Sequence, residues 1–157
     1  MSALPELRPG MFTRLFAEIA ADGQKRAHTM LTGLALAVER QAKVNASSGA
    51  HKYGTPTPAR PGAGPAVISG TLRRSLTHSP IIWTGGGWET KVGTAVGFNP
   101  PYGKKKTPAN LYGKYLETGL RNGATYPFLK PALSFATRVV APQLYQAAFR
   151  TGGWPRL

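Results

Sequence analysis

The chain has 157 residues, 41% of them apolar and 17% charged, enough to fold as one domain around a modest core. Lys plus Arg number 20 against 6 Asp plus Glu, a net charge of +14, which calls for an acidic partner: nucleic acid, an anionic membrane or an acidic protein surface. The absence of cysteine excludes disulfides, thiolate catalysis and cysteine-ligated metal centres, and no apolar run approaches the ~20 residues that span a bilayer.

The basic groups are spread along the chain, not gathered in a tail, so the expectation is a basic folded body. Glu6 and Pro5 interrupt the start where a signal peptide would need an apolar stretch. A soluble protein of the cytoplasm, with no membrane partner, is expected.

Phe12, Leu15, Phe16 and Ile19 fall at helical spacing. After Asp22–Gly23 the pattern resumes, with Ala27, Met30, Leu31, Leu34, Val38 and Ala42 on one stripe. This reads as one long helix weakened at Gly23, or as two helices in sequence. Residues 46–66 hold four prolines and four glycines, which sustain neither helix nor central strand. A long flexible loop is expected there.

Ile68–Leu76 (ISGTLRRSL) follows. Ser69 or Thr71 can cap a helical turn carrying Arg73 and Arg74, and Leu72 and Leu76 can share a buried face. Ile81–Trp83 is a short apolar strand and Gly85–Gly87 a turn. From Trp88 to Phe98 the residues alternate, with Trp88, Thr90, Val92, Thr94, Val96 and Phe98 on one side, which predicts a long second strand. Residues 99–110 form a loop with the basic run Lys104–Lys106. Residues 111–118 predict a short helix with Leu111, Tyr115 and Leu116 inward and Gly119 as its stop. The last helix begins near Pro131, with Leu133, Ala136, Val140, Leu144 and Ala147 as its stripe and a kink at Pro142. Residues 151–157 are a tail. The order predicts a single α+β domain over 1–157, with helices on one face of an antiparallel sheet.

The residues offer little for catalysis. The six acids suggest no acid–base pair, and no histidine stands at metal-ligand spacing from another ligand. His28 and His78 read as partly exposed surface residues. The Gly-rich GTGGGW lacks the Lys-Ser/Thr of a phosphate loop. The expectation is no enzyme, no metal and no cofactor. Lys104, Lys105, Lys106, Lys52 and Arg60 are candidates for contact with DNA phosphates or an acidic partner. Glu117 is oddly placed, an anion at the C-terminal end of a helix whose dipole disfavours it. That predicts a specific cationic partner, with Arg73, Arg74 and Arg121 as candidates within the subunit or across an interface.

Three motifs in this order resemble the tail-completion (head–tail joining, or neck) family of long-tailed bacteriophages. They are Ser69–Leu76, Tyr112–Gly119 with Tyr115 and Glu117, and Pro127–Leu133 (PFLKPAL); Val92-Gly93-Thr94 matches the strand between the first two. The loops at 46–66 and 99–110 are longer than that pattern needs. The resemblance implies a structural virion protein that assembles as a ring, a hexamer or a dodecamer, around packaged double-stranded DNA. Its neighbours would be an adaptor ring and a tail-tube or tail-terminator protein, and its site the neck, reached from the host cytoplasm during assembly. The competing reading is a basic protein that binds nucleic acid without sequence preference.

Overall fold

A computed structural model describes residues 11–49, 59–101 and 107–150. The fold is α+β. In chain order it has α1 (Met11–Asn45), α2 (Thr71–Ser75), β1 (Leu76–His78), β2 (Ile82–Trp83), β3 (Trp88–Glu89), β4 (Val92–Thr94) and α3 (Ala109–Thr118). A C-terminal helix over 129–150 completes it, made of α4 (Leu129–Phe135), a π-helical turn (Ala136–Val140), α5 (Ala141–Tyr145) and a second π-helical turn (Gln146–Arg150).

α1 runs unbroken through Gly23, at which an added Cβ would meet nothing within 4 Å. Its stripe faces the core as the spacing predicts, with Val38 and Ala42 buried and Leu34 packed against them. The C-terminal helix lies antiparallel along it. Near one end Asn45 Nδ2 donates to the Phe128 carbonyl at 3.0 Å, and near the other Arg26 Nη1 donates to the Ala148 carbonyl at 2.5 Å.

The sequence stripe of the C-terminal helix holds at Ala136, Val140 and Leu144 and needs correction at Leu133 and Ala147. Leu133 is 53% exposed and Ala147 is exposed, whereas Ala132 and Ala136 are fully buried. The inward positions recur every four residues, at Ala132, Ala136, Val140 and Leu144. Each π-helical turn adds a residue to the turn and so shifts the phase. The first of these turns directly precedes Pro142, whose missing N–H the widened ladder accommodates.

The strands also depart from the reading. Leu76 pairs with Thr94 and His78 with Val92; further out, Ile82 pairs with Glu89 and Trp83 with Trp88. Between those ends seven steps along one arm meet six along the other. The two short antiparallel ladders are therefore one hairpin with an extra residue near Pro80–Ile81, where proline cannot donate to the ladder. The long strand expected over 88–98 is split into β3 and β4, and its last residues turn away at Gly97 (φ 92°), leaving Val96 81% exposed. The hairpin tip folds back on α1. The Trp88 indole donates to the Gln24 carbonyl at 3.1 Å and stands edge-on to His28, ring centroids 4.8 Å apart.

The described ends of the 46–66 loop are packed. Ala46, Ala59 and Pro65 are buried, and a parallel bridge joins Gly49 to Ala66. Glycine makes the crossing feasible: a Cβ on Gly64 would collide with Ser48 Oγ and the Asn45 carbonyl, and one on Gly49 with the Gly64 carbonyl. Lys52 lies outside the described residues, as do Lys104, Lys105 and Lys106.

One charged cluster joins α1 to the hairpin. Glu39 accepts from Lys43 Nζ at 2.5 Å and from His78 Nδ1 at 2.6 Å. Burial works to raise the Glu39 pKa, but the hydrogen bonds and charges of Lys43 and His78 outweigh it and hold the carboxyl below its ordinary value. A depressed carboxyl stabilises the fold above its unfolded pKa, and that stabilisation is lost as pH falls through the folded value. Urea melts between about pH 5 and 3 should therefore show Glu39→Gln losing less stability on acidification than the parent chain. Gly64→Ala should cost about 1–3 kcal/mol in the same assay at pH 7, since backbone must move to admit the methyl group.

Candidate functional site

The three sequence motifs lie far apart in the chain and meet at one junction. α2 and α3 pack so closely that a Cβ on Gly113 would come within 3.1 Å of Leu72 Cδ1 and 3.2 Å of Thr94 Cγ2. That contact rotates α3 from the predicted orientation: Ala109 and Gly113 are buried, while Leu111 and Tyr115 are 45% and 51% exposed. Tyr112 turns inward, where burial raises the pKa of its phenol and a hydrogen bond with the Leu72 backbone acts the other way. The expected serine or threonine cap of α2 is replaced by Gly70 (φ 71°), with Ser69 Oγ only 3.4 Å from the Thr71 amide.

Glu117 joins the second motif to the third. Its Oε2 accepts from the Phe128 and Leu129 amides at 2.8 and 3.0 Å, and its Oε1 from the Lys130 amide at 2.8 Å. The first four N–H groups of a helix lack intrahelical acceptors. Here three go to Glu117 and the fourth position is Pro131, which has no N–H. Phe128 cannot cap the helix with its own side chain, so a carboxylate from α3 does so instead. The anion sits badly at the end of its own helix and well at the start of the next, where the dipole is positive. Among the described residues, Arg73, Arg74 and Arg121 make no ion pair with it; the expected intrasubunit cation is replaced by backbone amides. Tyr126 N–H donates to the Leu116 carbonyl at 2.7 Å and closes the junction.

Beside the junction runs an apolar groove of about 310 Å³. Leu72, Tyr112, Leu116, Leu120 and Tyr126 form one wall, residues 65–70 the other, and Arg73 stands at the rim. Val67 and Ile68 on its lip are 44% and 79% exposed. Such an apolar lining can take up an apolar side chain.

The charge is as lopsided in space as in sequence. Of the described cations, only Arg26, Lys43 and His78 touch a carboxylate. Arg60, Arg73, Arg74, Lys91, Lys114, Arg121, Lys130 and Arg138 are exposed and pair with no acid among the described residues. No group of three His, Asp or Glu that could hold a metal occurs among them, and none of the described helices is long and apolar enough to cross a membrane. Sequence reasoning missed two features: the Glu39–His78 pair and the Asn45 bond to Phe128. Their partners lie 39 and 83 residues apart, and no local pattern announces either. No family model, curated protein or solved structure matches the chain.

Glu117→Ala should lower stability by about 1–3 kcal/mol, because three amides, two of them part-buried, lose their acceptor. Glu117→Gln should lose part of that, and Arg121→Gln should leave denaturation unchanged within about 0.5 kcal/mol.

Proposed function

We propose that the chain is a structural subunit of the neck of a long-tailed bacteriophage, forming a ring that joins or completes the tail around the DNA channel. The observation that carries the reading is the junction. The three motifs that resemble the tail-completion family are not scattered surface segments but one packed unit, tied by Glu117 and by the Tyr112 and Gly113 contacts to Leu72. Residues that recur together because they build one framework would keep their order in this way.

The unpaired cations support a polyanionic partner. DNA passing through a ring needs positive charge and reach but no base readout. Arg60, Arg73 and Arg74 are exposed and available for that role, or for an acidic neighbour in the neck. The reading assigns no reaction and no cofactor to the chain.

The same cations favour the second reading, a monomeric protein that coats nucleic acid without sequence preference. Two measurements separate them. Gold-labelled antibody to the chain should decorate the head–tail junction of intact virions. Deleting its gene should yield filled heads and finished tails that fail to join. Normal infectious particles from the deletion, together with a monomer that binds duplex DNA tightly at physiological salt, would leave the second reading in place.

A further inference from the structure

We infer that the first turns of α1 are a docking arm that inserts into the apolar groove of a second copy. This deepens the ring reading and relies on it only for the closure of successive contacts into a ring.

The arm extends from Met11 to about Asp22, beyond the point where Arg26 is bonded to Ala148 at the described end of the C-terminal helix. Phe16 on it is 65% exposed, and Thr13, Arg14, Ala17, Glu18, Ala20 and Ala21 are exposed as well. By helical spacing Phe16 and Ile19 share one face, edged by the acid Glu18, while the neighbouring Asp22 is already paired with Arg26. An apolar stripe with an acidic edge is a poor solvent-facing surface but a good ligand for an apolar groove with a basic rim. The groove has that rim. Arg73 lines it, Arg74 follows on the same turn, and neither has an acid partner among the described residues. Glu18 is an exposed acid with no ion pair among the described residues, in a chain whose copies otherwise repel one another at net +14.

The occupant must come from another copy. Ala46, in the groove wall, follows directly on the C-terminal end of α1, and Phe16 lies 30 residues earlier on the same helix. At ~1.5 Å per residue the two are about 45 Å apart along a rigid rod, so arm and groove cannot meet within one molecule. Two different patches at opposite ends of a subunit generate a head-to-tail contact, which closes into a ring or propagates as a filament.

The cysteine-free sequence makes the contact easy to trap. In the full chain carrying Ala20→Cys and Ile68→Cys, mild oxidation should give covalent multimers beyond the dimer. Mass spectrometry should identify the disulfide between positions 20 and 68. Phe16→Glu in that background should cut the yield at least about tenfold. Glu18→Arg should also reduce it, and adding Arg73→Glu should restore it. Absence of the 20–68 disulfide, or Glu18→Arg with no effect, overturns the arm-in-groove contact. Light scattering on the parent chain keeps the two ideas apart: a multimer that lacks this disulfide sinks the interface but leaves the ring standing.

Discussion

The fold depends on one carboxylate. Glu117 closes the start of the C-terminal helix by taking every amide there that exists, and thereby fixes that helix against α3. Without an acceptor at 128–130, the helix would begin with unsatisfied donors beside Phe128, a fully buried side chain. Since α1 is locked to the same point through Asn45, the long helical pair and the short α2–α3 pair are registered against each other there. Hydrophobic burial supplies the driving force, through Leu72, Leu76, Phe128, Ala132 and Ala136. The hydrogen bonds set which of several apolar packings is adopted.

Small residues carry much of the packing. Ala35, Ala42, Ala46, Ala132 and Ala136 are buried where helices approach, and Gly33 lets Leu144 come within 3.1 Å of where a Cβ would stand. A core of this kind is thin. It leaves larger apolar groups, among them Ile68, Leu111, Tyr115 and Phe16, on the outside. Exposed apolar residues on a strongly basic monomer are economical only if another surface covers them. The groove, the exposed first turns of α1 and the cations without an acid partner among the described residues are the surfaces on which the proposed ring reading rests.

Parts of the architecture were legible from periodicity. The stripe of α1 reads directly, as do the turn at Gly85–Gly87, the stop at Gly119 and the α+β order. The errors share a cause. In the C-terminal helix Ala136, Val140 and Leu144 face inward as the stripe predicts, while Leu133 and Ala147 do not, in a helix whose 3.6-residue repeat two π-helical turns interrupt. The strand from Trp88 to Phe98 was too long because alternation says which face a residue prefers, not where a ladder loses its partner. Tyr115 was placed inward because helix phase was judged from apolar residues, whereas Gly113 against Leu72 sets it.

The sequence by itself determined the net charge of +14, and the absence of thiol chemistry through the lack of cysteine. It also marked Glu117 as misplaced, because a helix dipole is a local property. Only the tertiary structure decided what answers that charge. Within the chain the answer is the open end of another helix, formed by residues 11 to 13 positions further along and brought near by packing. Backbone amides carry no letter in a sequence, so an acceptor for them can be read only once the chain is folded.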